Sequence, residues 1–223
     1  MTTVAVLLPT KGRAAQLHSR LADLLEQETP EGVTLMVIAG MVEGDDDTDI
    51  VLTELTEQFD NLYVINRPVD SFPADGHYQA YQAAKQMGAD WFVLGADDII
   101  WHQGWLAEAL KVAQDTGAQV IGLNDGHTDL DDFAPHYMAN WKFCEEQLGD
   151  RLVPEGYVTW WWDRHVCQLA RMHETYAPAW SAWAEHRHPD WRTAVMDDTY
   201  REMEDKRGAD MALYMAWRDT VKV

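Results

Sequence analysis

The chain has 223 residues, 47% of them hydrophobic, which suits one α/β domain with a sizeable core. Its formal net charge of −21 repels phosphates and so disfavours docking on DNA, RNA or an anionic membrane. No apolar run approaches the roughly 18–20 residues needed to span a bilayer, so no membrane insertion is expected.

The N-terminus opens directly into an apolar run at residues 4–8, closed by Pro9, which reads as a buried strand. No basic region precedes the run and no cleavage pattern follows it, so no signal peptide is expected. A turn with Gly12 follows. Leu17, Leu21, Leu24 and Leu25 then recur at helical spacing, until Pro30 and Gly32 end the pattern. Residues 33–39 read as a second strand, 48–59 as a helix capped by Thr48, and 62–65 as a third strand. Residues 76–87 read as a helix closed by Gly88, 91–94 as a fourth strand, 105–114 as a helix and 119–123 as a fifth strand. This alternation predicts an α/β fold, a mostly parallel central sheet flanked by helices. Beyond residue 124 the periodicity fades until a helix near 163–173. Cys144 and Cys167 form no C-x-x-C pair or framework, so two reduced thiols in a cytoplasmic protein are expected. No Gly-, Ser- or Pro-rich linker divides the chain. The expectation is one domain over 1–223, with a donor half at about 1–98 and an acceptor half at about 99–223.

In parallel sheets ligands bind beyond the carboxyl ends of the strands, and the unusual chemistry of this chain falls there. Asp97 and Asp98 directly follow a buried strand. Adjacent carboxylates repel unless a cation or a positive group relieves them, and hard divalent ions such as Mn²⁺ or Mg²⁺ take one or two carboxylates beside substrate phosphates. The alternative is a cap on a helix beginning at residue 99. The acidic run at 43–49 fails as an EF-hand, because the required Gly falls at Ile50 and the closing Glu at Thr56. It is either a capping cluster or the source of an acid for a nucleotide base or ribose. In the string HRHPDW at 186–191, His186 and His188 alternate in an extended segment and are expected to face opposite ways, leaving one as a metal ligand. Asp163, after three tryptophans, is either a helix cap or a general base. Eleven tryptophans serve core packing or offer platforms for sugar rings. Walker A, G-x-G-x-x-G, G-x-S-x-G, HExxH and zinc-type cysteine patterns are all missing.

In this order the motifs resemble the family-2 glycosyltransferases of GT-A fold. The carriers are Pro9-Thr10-Lys11-Gly12-Arg13 after the first strand, the acids at 43–49, and Leu94-Gly95-Ala96-Asp97-Asp98 after the fourth. The later half, with Gly156-Tyr157, Asp163, HRHPDW and Asp197-Asp198-Thr199-Tyr200, resembles small phage and actinobacterial members, whose location would be the cytoplasm, the host's for a phage protein. The resemblance implies an inverting transferase that moves a sugar from a nucleotide-sugar donor, foremost a UDP-sugar, to an acceptor hydroxyl with Mn²⁺ or Mg²⁺. Pro9, Thr10 and Arg13 would shape the donor pocket with Glu43 or Asp45. Asp97 would ligate the metal beside Asp98, with His188 favoured over His186. Asp163 would be the base, and Trp160, Trp162 and Asp197 would face the acceptor: a protein, a glycan or a hydroxymethylated DNA base. Two departures are Gly95 in place of the family string's first aspartate, and Ala80-Tyr81-Gln82 where Asn-x-Gly is common. The alternatives are a non-catalytic carbohydrate- or nucleotide-sugar-binding protein and a sugar nucleotidyltransferase.

Overall fold

A computed structural model describes residues 1–221. Strand β1 (Thr2–Thr10) lies at the centre and pairs in parallel with β2 (Val33–Val42) and β4 (Trp91–Leu94), while β3 (Leu62–Arg67) extends the sheet beyond β2. Helices α1 (Ala14–Leu25), α2 (Asp46–Thr56) and α3 (Pro73–Gln86) supply the crossovers. Alternate residues of β1 feed the two faces: Val4, Val6 and Leu8 pack with the leucines of α1 and α2, Ala5 and Leu7 with Tyr81 and Ala84 of α3. Gly76 lets α3 settle on β1, since a Cβ there would stand 2.8 Å from that of Pro9.

The sheet then departs from the expected alternation. Residues after Asp98 form a short strand, β5 (Ile99–Trp101), before helix α4 (Trp105–Thr116) begins. The capping alternative for Asp97-Asp98 therefore fails, because no helix starts there. Strands β6 (Val120–Asn124), β7 (Tyr137–Asn140) and β8 (Tyr176–His186) follow, with α5 (Trp141–Leu148) and α6 (Trp162–Met172) between the last two. The sheet order is β3-β2-β1-β4-β7-β6-β8-β5. β7 runs antiparallel to β4 and β6, β8 runs parallel to β6, and β5 pairs antiparallel with β8. A 3₁₀ turn (Pro189–Trp191) and helices α7 (Asp198–Glu204) and α8 (Arg207–Thr220) end the described chain.

Two local expectations also change. Helix α2 starts at Asp46 and its cap is Asp45; Thr48 is buried inside the first turn, its hydroxyl donating to Asp45. Helix α6 has no side-chain cap, and Asp163 lies within its first turn rather than before it. Both cysteines are buried free thiols, and among the described residues no helix is long and apolar enough to cross a membrane.

Candidate active site

The carboxyl ends of β1 and β4 open into a cleft enclosing about 1050 Å³, solvent at its mouth included. The turn after β1 is fixed from two sides. The Gly12 N–H donates to Asp45 Oδ2 at 2.7 Å, and the Lys11 carbonyl accepts from the Thr199 hydroxyl at 3.1 Å. Gly12 itself has φ +66°, a conformation that suits glycine. This arrangement turns Arg13 inward, where it is 7% exposed.

Arg13 is the positive group that relieves the paired acids. Its Nη1 donates to Asp97 Oδ1 at 2.8 Å and to Asp98 Oδ2 at 3.4 Å, while Nε and Nη2 grip Asp197 at 3.0 and 3.2 Å. The Tyr200 ring lies under the guanidinium, 3.9 Å from its centroid, and the Tyr200 hydroxyl donates to Asp98 Oδ2 at 2.7 Å. Burial works against the Arg13 charge, but the surrounding carboxylates outweigh it and raise its pKa. Both oxygens of Asp97 accept a hydrogen bond, Oδ2 from Thr10 Oγ1 at 2.8 Å and Oδ1 from Arg13. Burial pushes its pKa above the usual range, with the Asp98 charge adding to this against Arg13.

Asp98 differs. Its Oδ1 is buried and takes no hydrogen bond, and His186 Nε2 stands 3.6 Å away. Burial alone would raise its pKa. His186, Arg13 and the Tyr200 hydroxyl together hold it well below the usual carboxylate range. His186 is raised in turn, as Asp98 overcomes the effect of burial. His186 and His188 do not face opposite ways. Both line the cleft, their ring centroids 5.2 Å apart, because β8 ends at His186 and the chain turns there, with the Arg187 N–H donating to the Asp98 carbonyl at 2.9 Å. His188 Nδ1 accepts from the Asp190 N–H at 3.2 Å. Among the described residues no three His, Cys, Asp or Glu side chains converge as a ready-made cation cage.

The segment 159–163 also lines the cleft, with the Trp160 ring edge-on to His188 at 5.6 Å. One carboxylate holds it: buried Asp210 of α8 accepts from the backbone N–H groups of Val158, Thr159 and Trp160 at 2.7–3.2 Å. Trp161 adopts φ +68°, unusual for a bulky residue, and this reverses the chain so that Trp160, Trp162 and Asp163 all line the cleft. The Trp160 indole donates to the Met203 carbonyl at 2.9 Å, which ties this wall to α7. Asp163 Oδ1 accepts from the Arg164 N–H at 2.8 Å, and burial nevertheless lifts its pKa to about 6.

Of the residues singled out in the sequence, Pro9, Thr10, Arg13, Asp97, Asp98, Trp160, Trp162, Asp163, His186 and His188 line this one cleft. Glu43, Asp45 and Asp197 are not among the lining. Glu43 is exposed after β2, Asp45 caps α2 and braces Gly12, and Asp197 caps α7 and holds Arg13. Sequence reading assigned no role to Arg67, His77, His136, Tyr200 or Asp210. Arg67 is legible in retrospect, since it ends β3 on the ligand-binding edge of the sheet. It is buried and donates to the Gly40, Thr10 and Phe72 carbonyls, knitting three strand ends together. Gly95 is also explained. A Cβ there would lie 2.7 Å from Val6 Cγ1 and 2.9 Å from the Leu7 carbonyl oxygen, so this backbone has no room for an aspartate.

The same architecture occurs in solved enzymes. The chain is similar to the mannosyltransferase PcManGT from Pyrobaculum calidifontis, solved with GDP-Man and Mn²⁺, at 17% identity and TM-score 0.71, covering 97% of this chain and 64% of that one. It is also similar to residues 1–349 of S. aureus TarS, solved with UDP-GlcNAc, at 15% identity and TM-score 0.66, covering 91% and 64%. The chain thus spans a little under two thirds of the chains in these two structures, and 36% of the longer S. aureus TarS chain. A comparison with curated proteins finds no match. The model of the family described as "Glycosyltransferase like family 2" matches residues 2–200, nearly the whole described chain, and with the GT-A architecture this places the protein in that family.

Proposed function

We propose that the protein is an inverting glycosyltransferase that moves a sugar from a nucleotide-sugar donor to an acceptor hydroxyl. The observation that carries this reading is the presence in one cleft of a carboxylate with an unpartnered buried oxygen, Asp98, and a carboxyl whose pKa burial raises to about 6, Asp163. The relatives solved with GDP-Man and with UDP-GlcNAc support it.

Asp163 takes the proton from the acceptor hydroxyl. The freed oxygen attacks the anomeric carbon from the face opposite the diphosphate, the carbon–oxygen bond to phosphate breaks, and the diphosphate leaves with the electron pair. Arg13 and the turn at residues 9–13 hold the diphosphate end of the donor, and Arg67 keeps the strand ends in register beneath it. A divalent ion of the Mn²⁺ or Mg²⁺ kind fits the residues present, since such ions take few protein ligands beside phosphate oxygens. Asp98, whose Oδ1 has no hydrogen-bond partner, would hold it beside Asp97, with His186 or His188 completing the set. When bound, it offsets the charge developing on the leaving diphosphate.

The test is a thermal-shift panel of UDP-N-acetylglucosamine, UDP-glucose and GDP-mannose, with Mn²⁺ or with EDTA, followed by NMR of the product anomer. At least one donor is expected to raise the melting temperature in Mn²⁺ and to lose most of that shift in EDTA, and its product should carry the inverted anomer. Absence of a shift with every donor in Mn²⁺ overturns the reading.

A further inference from the structure

Two buried histidines in the cleft wall have no role in the mechanism above. His136 is 5% exposed and immediately precedes β7. Its Nδ1 lies 3.1 Å from the Leu94 carbonyl oxygen. A carbonyl oxygen can only accept, so Nδ1 carries the proton and Nε2 presents a lone pair. That Nε2 is buried and has no hydrogen-bond partner. His77, in the first turns of α3, is 3% exposed, and its buried Nδ1 is likewise unpartnered. Buried polar atoms are nearly always paired, so two unpaired ring nitrogens on residues that line the cleft point to a ligand that pairs them.

Their neighbours say which part of the ligand this is. The His136 ring meets His186 edge-on, with centroids 4.6 Å apart, and so borders the diphosphate end of the cleft. The His77 ring meets Trp162 edge-on at 5.8 Å and so borders the segment that carries Asp163. An in-line displacement requires the transferred sugar to lie between the leaving group and the base. These two rings flank that space. Burial, with Arg67 close by, lowers the His77 pKa to about 3, so this ring meets its ligand uncharged.

We propose that His77 and His136 read hydroxyl groups of the donor's sugar ring and thereby set which sugar the protein transfers. A neutral imidazole offers one donor or one lone pair to a hydroxyl and no charge to an anion. The subsite therefore suits an uncharged sugar, a hexose or N-acetylhexosamine, over a uronic acid. This inference rests on the reading of the cleft as a nucleotide-sugar site.

Calorimetry in Mn²⁺ tests it, using UDP, GDP, the three donors above, UDP-glucuronic acid, and monodeoxy analogues of whichever donor binds tightest. In the unmodified protein, removing the hydroxyl at each of two ring positions should weaken binding about tenfold, the usual effect of losing one neutral hydrogen bond in a buried site. UDP-glucuronic acid should bind more weakly than UDP-glucose. His77→Phe and His136→Phe should each weaken the intact donor by a similar factor while leaving the nucleoside diphosphate unchanged, and each should become indifferent to one of the two deletions. Deoxy donors that bind the unmodified protein as well as the parent overturn the proposal while leaving the transferase reading intact, and this arm needs no variant to fold. Equal losses for donor and bare diphosphate in both Phe variants also overturn it. Absence of binding by every nucleotide sugar overturns both readings together.

Discussion

A carboxyl group that accepts a proton during turnover must be ionised at rest, and Asp163 sits where burial resists ionisation. Its folded pKa of about 6 lies above the unfolded value of 3.8. The protonated form is therefore favoured by folding. The stability it contributes is fully present below about pH 4 and lost as pH rises through 6, so above 6 the charged group is a liability. With Asp163 as the proposed base, turnover needs the opposite state and should fall about tenfold per pH unit below 6. Asp163→Asn keeps the shape and the oxygen that accepts from Arg164, and it never ionises. It should lower turnover by about 10²-fold or more with donor affinity nearly normal. It should also be more stable than the parent by about 1–3 kcal/mol at pH 7.5, a gap that closes toward pH 4. Parallel pH profiles of turnover and melting temperature check this. A flat turnover profile between pH 5 and 7, or a variant less stable at pH 7.5, would show that Asp163 is not the base.

At the scale of elements, the cleft depends on how helix starts brace the turn after β1. Asp45 caps α2 and also accepts from the Gly12 N–H, so one carboxylate serves both the helix and the turn after β1. Asp45→Ala should destabilise the fold by about 0.5–2 kcal/mol, the usual cost of a lost cap, and should weaken nucleoside diphosphate binding through a looser turn. Asp45→Ser retains a capping oxygen but not the reach to Gly12, so it should recover stability more fully than affinity. Urea melts and calorimetry separate the two effects, and full recovery of both by Ser would leave the brace without a role. The first half of the fold was legible because it follows the simple rule of leucines at helical spacing between buried strands. In the second half the helix near 163–173 was legible as α6, but the strands were not, and β8 shows why. Its inward residues are Ala177, Ala179, Ala182 and Ala184, while Trp180 and Trp183 point out. Alanine carries too little apolar signal to mark a face, and the register slips at Leu123/Asn124 where β8 bulges. Asp97-Asp98 and Asp163 were legible because carboxylates at strand ends or after aromatic runs stand out. His77 and His136 were not, since a single histidine inside an otherwise ordinary helix or just before a short strand carries no pattern.

The whole molecule carries a formal charge of −21, yet the proposed donor is an anion. Three cationic side chains line the cleft, and each is already engaged. Lys11 pairs with Glu202, Arg13 with Asp97, Asp98 and Asp197, and Arg67 with backbone carbonyls. The field that a distant nucleotide sugar meets is therefore that of the acidic surface. At about 10 mM ionic strength that field reaches roughly 30 Å into solution, and at 0.1 M about 10 Å. Added monovalent salt should then speed donor association, by about two- to fivefold between 10 and 150 mM NaCl, whereas a cationic site would bind its anion more slowly as salt rises. Dissociation, governed by contacts inside the cleft, should change little. Self-repulsion of the folded chain is screened by the same ions, so the melting temperature should rise over the same range and level off beyond it. Stopped-flow binding at fixed free Mn²⁺ measures the first effect and a thermal melt without ligand the second. If association slows with salt while the melting temperature still rises, the cations of the cleft govern the donor's approach despite their internal partners, and the surface charge acts on stability alone.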